Sequence, residues 1–401
     1  MPIWKRNLIV CWIGMFATGI GLSQVAPIMP LFIHQLGVYD ADKVAELSGL
    51  AFGVTFIVSA IFSPIWGYTA DRIGRKSMLL RASLGMAIVI FGIAFTQNIQ
   101  MLVLFRALLG AITGYATACT TLIATQTDRE HAGFALGVLS TSNISGSLIG
   151  PTFGGFLAEQ FSIQMTFYVT SGLMLLTFFL TLFFVKENFV KDHSKAEPFR
   201  DIWRSLPEKT ITVALFIAYF MIYLVNFSIQ PILTLYISEL SGEIVHLALI
   251  SGLVFSVSGL ASILSAPVLG RLSDRVGTHK IMWITAMATC LTVFPQAFVT
   301  TVWQLAVLRF LMGLASGGLQ PSINVMLKKI VPEKVAGTIF GYSNAAGYLG
   351  VFVGSVLGGQ IASLLGFKAV FLLTGVLTLI TAFLIYFMIY RNINNRKRWS
   401  R

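Results

Sequence analysis

Two arginines stand where charge is costly. Arg106 lies inside the apolar run 101–124 and Arg309 inside 303–326. A guanidinium in hydrocarbon costs roughly 2.5–3.5 kcal/mol on insertion scales, so it normally faces a protein interior and has a function there. Arginine keeps its proton. Either residue could therefore bias a nearby carboxyl or bind an anionic group, and neither could carry a proton. A structural role is also open to both, through hydrogen bonds to backbone carbonyls. A second charged group is Gly67–Lys76, GYTADRIGRK, with Asp71, Arg72, Gly74, Arg75 and Lys76 in a tip between two apolar runs. It returns 203 residues later as Gly270–Lys280, GRLSDRVGTHK, with Asp274 and Arg275. Proton chemistry has few places to reside. No Asp or Glu lies near the middle of an apolar run. Asp71, Asp128, Glu46 and Glu159 lie at run ends, and His34, of a type that titrates near neutral pH, lies near the end of the first run.

The elements that hold these residues follow from hydropathy. The 401-residue chain is 56% hydrophobic and 11% charged, against about 25% charged in a soluble domain. A bilayer core of about 30 Å takes about 20 apolar residues per helix. Such runs occur at 8–34, 47–69, 78–97, 101–124, 132–158, 164–186, 210–238, 247–271, 280–299, 303–326, 336–364 and 368–390. Runs of this length predict helices, since spanning strands are shorter and alternating. The first run is too long for a signal-peptide core and is expected to stay as the first span. With the N-terminus inside, the inner loops hold 24 of the 28 Lys and Arg. The positive-inside rule then puts both termini in the cytoplasm and explains the net charge of +12 without nucleic acid. The basic tail 391–401 suits anionic lipid headgroups. Cys11, Cys119 and Cys290 sit in apolar runs without a CxxC or Cys/His cluster, which argues against disulfides or a metal site. The absence of GxxxxGK[ST] argues against ATP hydrolysis.

The chain repeats itself. Pro64/Pro267, Gly67/Gly270, Asp71/Asp274, Arg72/Arg275, Gly74/Gly277, Arg106/Arg309 and Gly110/Gly313 are offset by 203. Pro27/Pro231, Gly137/Gly341, Gly150/Gly354, Gly154/Gly358 and Gly155/Gly359 are offset by 204. This predicts two pseudo-symmetric six-helix halves, 1–186 and 210–390, joined by a linker at 187–209. Gly146, Gly150 and Gly154 share one face of the fifth helix, beside Pro151 and Gly155, and Gly350, Gly354 and Gly358 repeat that stripe. Small residues at this spacing let helices approach closely. The expected result is a leak-tight seam between the halves.

With these motifs, the chain resembles the major facilitator superfamily. Gly67–Lys76 is similar to its loop 2–3 signature, Leu104–Gly110 (LFRALLG) to its fourth-helix signature, and Gly137–Gly155 (GVLSTSNISGSLIGPTFGG) to the fifth-helix signature of exporters. The chain looks most like the twelve-helix drug/proton antiporters, especially Gram-positive fluoroquinolone and multidrug exporters.

The resemblance implies an all-α membrane protein in a bacterial cell membrane, not an enzyme. It implies alternating access driven by the proton gradient, with no cofactor. Asp71 would accept from the start of the eleventh helix, Arg75 would pair with Asp128, and Gly67 would admit a close helix crossing. The second half has Thr278 in place of Arg75, so the gate would be asymmetric. Helices 1, 4, 7 and 10 would line the cavity, with Gln24, Tyr115, Tyr219, Tyr223, Asn226, Gln230, Gln320 and Asn324, joined by Asn143 of helix 5. Arg106 without a nearby acid favours carboxylate-bearing amphiphiles such as fluoroquinolones over lipophilic cations. The expected partners are small amphiphilic drugs or metabolites, protons and lipids, and the expected state is a monomer. A dedicated sugar or amino-acid exporter is the alternative, and a non-transporting receptor a more distant one.

Overall fold

The computed structural model describes residues 2–188, 203, 206–242 and 246–391. Within these, the side chains of Asp71, Arg129, Glu130, Asp274, Glu333, Lys334, Ala336 and Gly337 lie outside the description. The expected linker 187–209 and tail 391–401 fall largely outside the described residues.

The described chain is helical. It contains twelve helices long and apolar enough to cross a membrane. They are α1 (Ile3–Ser23, continued by Val25–Gln35), α2 (Ala41–Ile73), α3 (Arg75–Ile93), α4 (Ile99–Ile112 and Tyr115–Gln126), α5 (Arg129–Gln160) and α6 (Ile163–Phe184). The second set is α7 (Lys209–Ile229, with Gln230–Ile232 and Leu233–Ser241), α8 (Leu247–Val276), α9 (Thr278–Val293), α10 (Val302–Ser316 and Leu319–Ile330), α11 (Glu333–Leu365) and α12 (Phe367–Leu384). Helix starts follow local sequence. The Asn98 side-chain oxygen accepts from the Met101 amide at 2.9 Å, and the hydroxyl of its repeat mate Thr301 accepts from the Gln304 amide at 3.3 Å. Each satisfies one orphan donor of a first turn.

The charged tip is almost entirely helix. α2 runs to Ile73 and α3 starts at Arg75, so the turn is Gly74 alone, at φ 91° and ψ 160°. Gly277 makes the corresponding turn at φ 113° and ψ 129°. Side chains disfavour this backbone region.

Contacts divide the chain into two compact units, Met1–His193 with Glu243–Ser256, and Ser194–Gly242 with Val257–Arg401. In the first, the α5 stripe packs on α1. A Cβ at Gly146 would lie 3.0 Å from the Gly19 Cα, one at Gly150 3.0 Å from the Ile20 Cα, and one at Gly154 2.6 Å from the Gln24 Cβ. In the second, a Cβ at Gly350 would lie 3.1 Å from the Phe220 carbonyl carbon, one at Gly354 2.9 Å from the Leu224 Cα, and one at Gly358 2.9 Å from the Ser228 Cα. Positions 20 and 224, like 150 and 354, differ by 204, so the repeat holds at the level of atomic contacts. The stripe thus joins α5 to α1 inside one unit. For these three glycines this corrects the expected seam between halves, because they face the helix of their own half. Gly155, one step round the helix, faces α8 instead, where its Cβ would lie 2.9 Å from the Ala248 carbonyl carbon. Beside it Thr152 donates to Ser256 at 2.8 Å, and Ser256 donates to the Leu148 carbonyl at 2.7 Å. α5 continues through Pro151 without a break.

Candidate functional site

α1, α4, α7 and α10 are the helices interrupted near their middles, at Gln24, Thr113–Gly114, Gln230–Ile232 and Gly317–Gly318. The breaks in α1 and α7 lie beside the repeat pair Pro27 and Pro231, which lack an N–H and crowd the carbonyl four residues back. Gly114 breaks α4 at φ 137°. In transporters, discontinuous helices place unwound backbone and half-helix ends at the binding site.

In the second unit a polar aromatic cluster spans α7, α10 and α11. Gln320 Nε2 donates to the Tyr223 hydroxyl at 2.8 Å and to the Tyr219 hydroxyl at 3.2 Å. Tyr219 donates to Asn344 Oδ1 at 3.3 Å. The Tyr219 and Tyr223 rings lie 4.9 Å apart, and Tyr223 is nearly parallel to Phe227 at 5.9 Å. Tyr219 is buried, Tyr223 half-buried, and Gln320 and Asn344 exposed. The cluster offers aromatic faces and amide groups without formal charge. Three of its members were legible from the sequence, and Asn344 was missed. Asn226 donates to its own helix at Ile222, while Gln230 and Asn324 are half-buried.

The first unit differs. Gln24 is fully buried and donates to Thr170 of α6. Tyr115 is fully buried, 3.3 Å from the Thr181 hydroxyl. Both tie helices together instead of meeting open space, whereas Asn143 is exposed.

Arg106 is 1% exposed. Its Nε donates to the Ala51 carbonyl at 3.0 Å and one terminal nitrogen to the Phe52 carbonyl at 3.4 Å. One helical turn on, a Cβ at Gly110 would lie 3.0 Å from the Thr55 carbonyl carbon. Ser59 donates to the Gly110 carbonyl at 3.1 Å. Arg106 and Gly110 therefore seat α4 on the backbone of α2. Among the described residues Arg106 meets carbonyls and no carboxylate, and its remaining terminal nitrogen is buried without a partner. Arg309 is 3% exposed, with a terminal nitrogen 4.0 Å from Met312 Sδ. Gly313 repeats Gly110, its Cβ position 2.9 Å from the Ser258 carbonyl carbon.

At the start of α3 the structure departs from the expected pairing. The backbone N–H groups of Arg75 and Lys76 donate to the two carboxylate oxygens of Glu187, each at 2.8 Å. Lys76 Nζ donates to the Leu182 carbonyl at 3.0 Å. Asp128 is exposed at the N-cap of α5, and its side chain caps nothing. The Arg75–Asp128 pair is not formed. Asp128 begins a helix and turns outward, while Glu187 faces α3. Arg72 lies over the Tyr68 ring at 4.2 Å, and Arg275 is exposed. Among the described residues, a Cβ at Gly67 would meet nothing within 4 Å, so the close crossing expected there is not seen among them. The side chains of Asp71 and Asp274 lie outside the described residues. At the run ends, Glu159 lies 3.3 Å from His246, and exposed His34 meets the Tyr39 ring edge-on at 4.9 Å.

The Major Facilitator Superfamily model matches residues 11–242 and 215–399. The chain belongs to this superfamily. It is 44% identical over 385 residues to a protein named Multidrug resistance protein MdtG from Citrobacter koseri, covering 95% of both chains. A protein of the same name from Salmonella typhimurium matches equally. Among solved structures, a bacterial homologue of the human lysosomal transporter Spinster, inward-facing and occupied, aligns with TM-score 0.80 at 13% identity, over 96% of this chain and 97% of that one. The human organic anion transporter MFSD10 aligns with TM-score 0.74 at 17% identity, over 96% and 100%. These two likenesses show the fold alone. The chain is a multi-pass membrane protein of the bacterial cell membrane, with the twelve-helix fold of membrane transporters.

Proposed function

We propose that this chain exports amphiphilic drugs by alternating access, in exchange for protons. The observation that carries this reading is the 44% identity, across 95% of both chains, to proteins named for multidrug resistance. The cluster of Tyr219, Tyr223, Gln320 and Asn344 supports it. Aromatic faces suit planar substrates of many shapes, and exposed amides hydrogen-bond to them without demanding a fixed charge. Fluoroquinolones, planar and rich in acceptors, are the proposed drug class. Their carboxylate is not assigned to Arg106, whose guanidinium is engaged with α2. The energy source is the proton gradient. The gate is the loop 2–3 stretch Gly67, Asp71, Arg72, Gly74, Arg75 and Lys76, beside Asp128, with Asp274 and Arg275 as its weaker echo. Its cytoplasmic placement rests on the charge asymmetry.

The test uses everted vesicles containing the protein, a pH-gradient dye, and norfloxacin or ethidium. Drug-dependent collapse of the gradient, absent with Asp71→Asn, is the expected result. No response to either drug from folded protein overturns the reading.

A further inference from the structure

We propose that Glu187, at the exit of α6, is a positioning residue for the gate, held in place by a clamp from α1 and α4. The extended segment after α6 is bound at successive residues. Asn7 of α1, fully buried, donates to the Lys186 carbonyl at 2.7 Å and accepts from the Lys186 amide at 3.0 Å. Gln126, at the end of α4, treats Asn188 in the same way, at 3.3 and 3.2 Å. Two side-chain amides thus grip alternate residues of the segment that leaves α6. The residue between them, Glu187, turns its carboxylate onto the first two amides of α3. Those amides are unsatisfied by the helix itself, and the dipole there favours an anion. Charge-assisted bonds of this kind are about twice as strong as neutral ones.

The geometry fixes what this does. α3 begins directly after Gly74, which has no side chain with which to cap the helix. Glu187 supplies that cap from another helix. The start of α3, and with it Arg75 and Lys76, is tied to the first residues of the segment that leads toward the second unit. Among the described residues the second unit does not repeat this device. Glu187 corresponds to Arg391 and Asn7 to Ile211 at the 204 offset, and Gln126 to Lys329 at 203. There Lys329 reaches Thr278, at the start of α9, directly at 3.2 Å. A duplicated scaffold that keeps its packing glycines but carries this clamp once has given it to the half with the fuller gate motif.

The role in transport rests on the exporter reading, so the experiment has two arms. The first, independent of substrate, is hydrogen–deuterium exchange of full-length protein in nanodiscs, following a peptide that covers Gly74–Leu79. Glu187→Ala is expected to speed exchange of the Arg75 and Lys76 amides at least about tenfold, the low end for each amide losing one charge-assisted bond. Glu187→Gln should fall between, and Glu187→Asp nearest to wild type. The second arm is norfloxacin-dependent proton movement. Because Glu187 touches no candidate drug-contacting residue, Glu187→Ala should lower turnover severalfold at unchanged KM, with partial rescue by Glu187→Asp. Should Glu187→Ala fail to fold, Gln126→Ala, half-exposed at a helix end, should give a smaller change of the same kind. Unchanged exchange, unchanged turnover, or a loss that merely follows the amount of folded protein overturns the proposal. If the wild type moves no drug, the exporter reading falls, and the exchange arm alone then upholds or rejects the clamp.

Discussion

The glycines separate into classes that the sequence treated alike, and replacing them by alanine tests the packing argument. Gly137, Gly150, Gly341 and Gly354 belong to the same repeat pattern. A Cβ at Gly137 or Gly341 would meet nothing within 4 Å. At Gly354 it would lie 2.9 Å from the Leu224 Cα, 3.0 Å from its carbonyl carbon and closer still to its oxygen. At Gly150 it would lie 3.0 Å from both the Ile20 Cα and oxygen, and closer to the Ser23 hydroxyl, which can rotate. Carbon contacts are optimal at about 3.5–4.0 Å, so a methyl at Gly354 pushes α11 and α7 apart by about 0.5–1 Å. That forfeits a quarter to a half of the attraction at affected contacts. Overpacking of this kind costs about 1–3 kcal/mol, offset by about 1 kcal/mol of helix propensity gained on replacing glycine. The net expectation is up to about 2 kcal/mol of destabilisation for Gly354→Ala, somewhat less for Gly150→Ala, and up to about 1 kcal/mol of stabilisation for Gly137→Ala and Gly341→Ala. At about 2–4 °C per kcal/mol for units of this size, tryptophan-fluorescence melts of purified protein resolve the difference. Equal shifts at Gly137 and Gly354, or a Gly354→Ala protein more stable than the Gly137→Ala one, would refute the reasoning.

Gly74→Ala and Gly277→Ala force a side chain into a positive-φ turn and should each cost about 1–3 kcal/mol, read as a lower melting temperature. Gly67→Ala, with open space around it inside α2, should like Gly137→Ala leave the melt unchanged or raise it slightly. If another state of the cycle closes a helix on Gly67, it should instead slow drug-driven proton flux. Arg106→Lys keeps the charge but not the planar fork that reaches two carbonyls, and should lower both melting temperature and turnover. Gln320→Ala and Tyr223→Phe should raise the drug KM severalfold with little change in folded yield, because Gln320 is exposed and the phenylalanine keeps the aromatic face.

The architecture was legible because lipid leaves few choices. Twelve runs of the right length become twelve helices, and the 203 and 204 offsets reappear as matched contacts, Gly110 on Thr55 and Gly313 on Ser258. Gly74 and Gly277 stood out as a repeat pair, and the structure adds that each alone makes the turn between two helices. Partners across the fold were not legible. Asp128 looked like the mate of Arg75 because it is an acid at the right end of α4, yet one residue decides whether an acid starts the next helix or faces the bundle. Glu187 gave a weak signal, an acid just after the sixth run in the sequence VKEN. Nothing local says that Asn7, far away in sequence, will hold its neighbour. Gln24 and Tyr115 were read as cavity residues from type and helix alone. Their burial depends on which side of α1 and α4 faces α6, which the flat hydropathy of those helices does not reveal.

Duplication clarifies why the halves diverge where they do. Contacts that set helix spacing must be kept in both copies, since a side chain at Gly150 or Gly354 disturbs a whole helix pair. Positions that do not set spacing are free to specialise. Tyr219, Tyr223 and Gln320 correspond to Met15, Gly19 and Thr117, so the aromatic amide cluster belongs to the second unit only. Asn7 and Glu187 correspond to Ile211 and Arg391, so the clamp belongs to the first. On the proposed function, the specialised positions divide by role, drug-facing groups in one copy and gate support in the other. That division has a testable consequence. Loss of Gln320 should act on KM and loss of Glu187 on turnover, and because the two residues share no partner, their effects in the double variant Glu187→Ala/Gln320→Ala should multiply. A double variant no worse than the poorer single one would mean that the two units do not keep these roles apart.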